Sequence, residues 1–116
     1  MRSRTSYDKG IWAEFIARTY LRAHGYKIIS KRYITGRNTN RAEIDIIAKR
    51  KNTLIFIEVK KRKDIKTAWD AITPPQARRL RRSAETFIIK NRWMGDARFD
   101  AIFVCGWKIH WIKNII

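Results

Sequence analysis

The stretch from Glu43 to Lys60 constrains this chain more than any other. Two β-prone runs, Glu43-Ile44-Asp45-Ile46-Ile47-Ala48 and Thr53-Leu54-Ile55-Phe56-Ile57-Glu58-Val59-Lys60, flank a short polar connection. That is the pattern of a β-hairpin. With Lys51 and Asn52 as the turn residues, Asp45 stands opposite Glu58 and Glu43 opposite Lys60. Opposed residues share a face, so the three acids and the lysine converge on one side of the sheet. The other side collects Ile44, Ile46 and Ala48 against Ile55, Ile57 and Val59, all apolar. A slip of one residue would break both sets. Ile47, Leu54 and Phe56 occupy the turn-proximal end of the acidic face, so both faces are expected to be buried there, as in a central strand covered on two sides.

The remaining elements arrange themselves around this hairpin. Ile11, Trp12, Phe15, Ile16, Tyr20 and Leu21 recur at helical spacing between about Asp8 and His24, and Gly25 follows at the left-handed stop position. Tyr26 to Ser30 reads as a strand and Thr35 to Arg41 as a loop. After Lys60 the chain is basic and irregular to about Asp70. Thr73-Pro74-Pro75-Gln76 has the logic of a helix start, with Thr73 as cap, Pro74 in the first turn and Gln76 where a capping box places Glu or Gln. This helix is expected to reach Lys90, with Ala77, Leu80, Ala84, Phe87 and Ile88 inward. Phe99 to Cys105 reads as a strand, Gly106 as a turn and Lys108 to Ile112 as a last strand. The order α-β-β-β-α-β-β predicts an α/β fold, a central mixed sheet flanked by helices. A right-handed crossover through the second helix sets the Phe99 strand parallel to the Leu54–Lys60 strand. No linker or repeat interrupts residues 1–116, which are read as one domain.

Charge narrows the partners. The chain carries 27 Lys+Arg against 10 Asp+Glu, a formal charge of +17. Such an excess opposes compaction and points to a polyanion, with a merely well-solvated surface as the alternative. Lys or Arg interrupts every apolar stretch, so no segment suits a membrane span, and the N-terminus lacks the apolar core of a secretory signal. Cys105, the only cysteine, reads as a buried hydrophobe, and a reducing cytoplasm fits. His24 and His110 are too far apart, with one cysteine, to suggest zinc.

Three acids and a lysine at the edge of a buried face are costly unless something compensates them. Mg²⁺, which takes one or two carboxylates and keeps several waters, is a natural compensator. A cross-strand Glu43–Lys60 ion pair is the plainer alternative, but it leaves Asp45 and Glu58 facing each other as like charges. Phosphodiester cleavage needs an in-line water and stabilisation of phosphoryl charge, and metal ions serve both ends. Asp45 and Glu58 are the expected metal ligands. Lys60 can hold the attacking water or stabilise developing charge. Glu14, on the first helix, can approach as an outer ligand or water-holder.

These residues resemble the YraN-type family of small predicted endonucleases, within the restriction-endonuclease-like superfamily that includes archaeal Holliday-junction resolvases. Gly10-Ile11-Trp12-Ala13-Glu14 with Ala17, Tyr20-Leu21 and Gly25-Tyr26 is similar to the family's N-terminal helix motif. Glu43 to Ala48 and Phe56 to Arg62 are similar to its central acidic motifs, and Ala71 to Pro74 and Arg98-Phe99-Asp100 to its later landmarks. The chain departs in having Ala42 where Gly is usual and Gln76 where a basic residue is expected. The resemblance implies a restriction-endonuclease-like fold, with the D…E-x-K catalytic core on Asp45, Glu58 and Lys60 and the helical acid on Glu14.

The expected function is therefore a Mg²⁺-dependent endonuclease, with Mn²⁺ as a substitute, acting on DNA and especially on structured or branched DNA. The rival is a non-catalytic nucleic-acid-binding module, or a subunit of a DNA-processing complex. Lys61, Arg62, Arg78, Arg79, Arg81 and Arg82 are the candidate phosphate contacts. Trp69 and Trp93 could stack on unpaired bases or pack in the core. Asp100 reads better as a partner of Arg98 than as a member of the cluster. Two-fold symmetric branched substrates would suit a homodimer.

Overall fold

A computed structural model describes residues 6–36, 41–67 and 72–116. Its elements are α1 (Ser6–Ala23), β1 (Lys27–Thr35), β2 (Ala42–Arg50), β3 (Thr53–Lys61), a short 3-10 turn (Ile65–Thr67), α2 (Pro74–Lys90), β4 (Asp96–Cys105) and β5 (Lys108–Ile112). The five strands form one mixed sheet in the order β1-β2-β3-β4-β5. Only β3 and β4 run parallel, joined through α2, and the other neighbours are antiparallel. The arrangement matches the restriction-endonuclease-like fold expected above.

Each helix covers one face. Under α1, Ala13, Ala17 and Leu21 pack on Ile46, Ala48, Ile55, Ile57, Ile102 and Val104. Under α2, Leu80, Ala84 and Phe87 pack on Ile44, Ile47, Leu54 and Phe56. The hairpin's turn-proximal end is thus buried on both sides, which is why its strands are apolar in both alternations.

The inward stripe of α1 differs from expectation. Ala13, Ala17 and Leu21, four residues apart, carry the contact, while Phe15 is 55 % exposed and Ile11 lies outside too. Small residues on one stripe let the helix lie close to the sheet, and the larger apolar residues then flank or leave the interface. Gly25, at φ +85°, ends the helix as expected, and the Tyr26 N–H returns to the Leu21 carbonyl at 3.0 Å.

β1 runs longer than the Tyr26–Ser30 segment expected. Lys31 and Arg32 interrupt its apolar pattern, yet pairing with β2 continues through Lys31↔Ile46 and Tyr33↔Ile44 to Thr35↔Ala42. Ladder bonds override the local pattern there, with a register shift between Ile28 and Ser30 and a left-handed Arg32 (φ +51°) as the irregularities. Elsewhere the ends move by a few residues. β4 starts at Asp96, where its N–H binds the Asn52 carbonyl at 2.8 Å, and Gly95 packs so tightly on Asn52 that no side chain would fit.

Candidate functional site

The site begins where the regular hairpin stops. The β2–β3 ladder runs from Arg50↔Thr53 to Ile46↔Ile57, so the same register brings Asp45 to Glu58 at the first step beyond it. There the Asp45 side chain replaces a ladder bond, its Oδ2 accepting the Val59 N–H at 2.7 Å. On its other flank Asp45 falls in the gap of the β1 ladder, beside Arg32. Alternation changes phase at this point. Ile46 and Ala48 face α1 as expected, but Ile44 joins the core under α2 instead of sharing their face. The interrupted pairing on both sides of Asp45 removes the constraint that would have kept Ile44 in phase.

Glu58 lies on the α2 face, buried, with Lys60 two residues on. The Lys60 Nζ stands 3.0 Å from Glu58 Oε1. Gln76, in the first turn of α2, donates from Nε2 to the same oxygen at 3.1 Å. Thr73 caps α2 as expected, accepting the Gln76 N–H at 3.3 Å. The Gln76 side chain, however, does not close a capping box. It spans to the neighbouring strand because an otherwise buried carboxylate is a stronger acceptor demand than one more orphan N–H at an exposed helix end.

Asp45, Glu43, Glu58, Gln76, Arg41 and Arg79 line one cleft of about 270 Å³, together with the apolar Ala42 and Leu80. Lys60 pairs with Glu58 instead of forming the alternative cross-strand pair with Glu43. Burial raises the Asp45 carboxyl most, the adjacent Glu58 charge raises it further, and the Val59 N–H only partly offsets them. The pKa reaches about 8. Glu58 is also raised, by burial above all, against the opposing charge and hydrogen bond of Lys60. Asp45 and Glu58 stand side by side in this cleft, each within reach of the other's charge. At neutral pH Asp45 therefore keeps its proton, the usual response of a desolvated carboxyl set beside another acid.

The donor chemistry fits a divalent cation. Glu58, buried, and Asp45, half-buried, meet in a solvent-open cleft, and hard cations of the Mg²⁺ type bind through one or two carboxylates while keeping waters. Among the described residues no group of three or more His, Cys, Asp or Glu gathers to hold a metal, and Asp45 and Glu58 are the pair that could hold one.

The other residues singled out in the sequence fall in several places. Glu14 is buried but gripped by Arg32, whose Nε and terminal nitrogen donate to its two oxygens at 3.2 and 2.9 Å. It raises the Asp45 pKa through space, yet it lines a separate pocket with Arg18 and Lys31. Of the arginines on α2 only Arg79 borders the acidic cleft, while Arg78, Arg81 and Arg82 are exposed on the helix. Lys61 sits at the end of β3 with its Nζ 5.8 Å from the Trp12 ring centre, and the Arg62 guanidinium folds onto the Lys61 carbonyl at 2.8 Å. Asp100 pairs with Arg98 at 2.8 Å, on the α1 side of β4. Trp93 packs against the core under α2 with Lys49 over its ring, whereas Trp69 lies outside the described residues. Sequence reading gave Arg41 and Gln76 no place at the cleft. Arg41 directly precedes the acidic strand, a weak signal. Gln76 is 18 residues from Glu58, so only the return of the chain through α2 brings them together.

This is a mixed-sheet α/β protein whose paired carboxyls sit at the broken end of a central hairpin. The model of Uncharacterised protein family UPF0102 matches residues 13–104. A UPF0102 protein of Dichelobacter nodosus is 34% identical over 97% of this chain and 91% of its own length. UPF0102 protein amb4503 of Paramagnetospirillum magneticum is 33% identical over 87% of this chain and 80% of its own. UPF0102 protein bll0669 of Bradyrhizobium diazoefficiens is 38% identical over 85% and 73% respectively. The chain belongs to the UPF0102 family, the YraN family of the resemblance above. No helix among the described residues is long and apolar enough to cross a membrane.

Proposed function

We propose that this protein is a divalent-metal-dependent endonuclease that hydrolyses phosphodiester bonds in DNA, structured or branched DNA in particular, in the cytoplasm. The observation that carries the reading is that Asp45 and Glu58 line one cleft together with Arg41 and Arg79, with Lys60 on Glu58. Asp45 and Glu58 would hold Mg²⁺ or Mn²⁺. When bound, the ion supplies Lewis acidity toward water and the scissile phosphate. Asp45 has to release its proton for this, so metal affinity rises with pH toward about 8. Arg41 and Arg79 bind phosphate oxygens beside the acids, and Gln76 orients Glu58. Lys60, paired with Glu58 at 3.0 Å, would stabilise charge developing on the reacting phosphate. Glu14 shapes the field at Asp45 from behind. The test is a panel of labelled DNA and RNA structures, with and without Mg²⁺ or Mn²⁺, run beside Glu58→Ala. Metal-dependent cleavage lost in the variant supports the reading.

One observation favours a second reading. Glu58 is already satisfied by Lys60 and Gln76 without any metal. A nucleic-acid-binding module, or a subunit of a DNA-processing complex, would bind the same panel and cleave none of it in either metal.

A further inference from the structure

The β4–β5 turn presents an indole to solvent at the same end of the sheet as the acidic cleft. Cys105 and Lys108 pair, Gly106 takes a left-handed φ of +61°, and Trp107 stands 94 % exposed at the tip. So bare an indole is unusual, because the hydrophobic effect normally covers part of a ring this large. Its one ring contact described is an edge-to-face approach to Trp12 at 6.5 Å, which leaves area for stacking. Beside it opens a cavity of about 410 Å³, within the size range of small-ligand sites, lined by Lys63, Asp64, Lys108, His110 and Cys105. Two lysines against one aspartate make its rim cationic.

Position ties this cavity to the cleft. β3 and β4 are parallel, with Glu58 beside Ala101 and Lys61 beside Val104. Cys105 is four residues past Ala101, roughly 13 Å at ~3.3 Å per residue. That is about four steps along a B-form strand, and fewer along an extended one. The chain between Lys60 and the cavity is Lys61-Arg62-Lys63, a run of cations that a phosphate backbone can follow. An exposed aromatic at the end of a basic track is the arrangement that binds unpaired bases, since stacking needs a π-face and not a particular base.

We propose that Trp107, with Lys63 and Lys108, is a stacking site for an unpaired nucleotide of the bound nucleic acid. It rests on the nucleic-acid part of the proposed function and not on cleavage. It narrows the substrate class to nucleic acid with single-stranded residues a few nucleotides from the acidic cleft. A basic rim disfavours an apolar protein segment as the occupant.

The test measures binding in EDTA by fluorescence anisotropy, with a labelled oligothymidylate and a labelled blunt duplex hairpin. Trp107→Ala is expected to weaken oligothymidylate binding about 10-fold, one stacked base being worth that much. Duplex affinity should stay within about 2-fold, and Trp107→Phe should restore most of the loss. Lys63→Ala with Lys108→Ala should shallow the salt dependence on oligothymidylate by about two phosphates. Equal losses on both ligands, or no loss on oligothymidylate, would overturn the site. Trp107-dependent binding with no cleavage by the wild-type protein would retire the nuclease reading and leave this one standing. Cleavage with no effect of Trp107 would do the reverse.

Discussion

Asp45, half-buried on β2, and Asp100, fully buried on β4, are treated in opposite ways. Asp100 is 0 % exposed and accepts from Arg98 at 2.9 and 2.8 Å, from the Trp111 indole at 2.8 Å and from the Asn114 N–H at 3.1 Å. Its charge is neutralised, its lone pairs are used, and it ties the C-terminal segment to β4. Asp45 has one N–H donor, a carboxyl neighbour and no basic side chain among the causes that set its pKa. A buried acid with a complete shell is a structural element. One left with an excess of negative potential, beside a cleft, is where a cation or proton must come and go.

The largest expected difference between the two is catalytic. Asp45→Asn and Lys60→Ala should each slow metal-dependent cleavage by ~100-fold or more, with affinity for DNA in EDTA nearly unchanged, because the proposed mechanism sets each at the reacting group and neither dominates a +17 surface. Single-turnover rates and anisotropy titrations on the same preparations read both. A Lys60→Ala protein that cleaves at the wild-type rate, or loses binding and cleavage together, would remove Lys60 from the site.

Stability should divide the pair the other way. Asp100→Ala strands Arg98 and two N–H donors and should cost about 3 kcal/mol or more in urea unfolding. Asp45→Asn should cost little in EDTA and gain above neutral pH, since it removes a like-charge contact. The sign follows from proton counts. Native Asp45 stays protonated up to about pH 8, while the unfolded chain ionises near the ordinary 3.8, so the native state binds more protons across that window. Stability of the metal-free wild type should therefore fall as pH rises from about 4 to 8, with the raised Glu58 acting in the same direction. Melting points taken from pH 5 to 8.5 should show this slope in the wild type and a much weaker one in Asp45→Asn. Added Mg²⁺ should raise the wild-type midpoint more at pH 8 than at pH 6. Equal slopes in both proteins would mean that Asp45 is not the linked group.

Smaller effects belong to the surroundings. If about five phosphates are neutralised, log K on duplex DNA should fall with log salt at a slope of roughly −4 to −5, and Ala at Arg78, Arg79, Arg81 or Arg82 should shallow it by about one each where a contact exists. Gln76→Ala removes one hydrogen bond to Glu58 and should cost about 1 kcal/mol of stability and a several-fold loss of rate, without changing the salt slope.

Much of this was legible in the amino-acid order because it rests on period-two alternation. The register that brings Asp45 to Glu58, the two-sided burial of Ile47, Leu54 and Phe56, and the parallel placement of β4 all follow from local pattern and chain handedness. So do the Thr73 cap and the Gly25 stop, where one residue's own geometry or hydrogen bond suffices.

Pairing over long separations was not legible. The loss of alternation at Asp45, which sends Ile44 to the opposite core, depends on ladders broken on both sides of one residue. The choice of Ala13, Ala17 and Leu21 over Phe15 depends on how closely α1 can approach the sheet. The grip of Arg32 on Glu14, of Gln76 on Glu58 and of Arg98, Trp111 and Asn114 on Asp100 depends on where separate elements meet. By itself the sequence determined which acids could share a face, because a strand's side chains alternate whatever surrounds them. Tertiary structure alone decided which of those acids found enough donors and which did not, because the donors arrive from other elements once the chain has closed on itself.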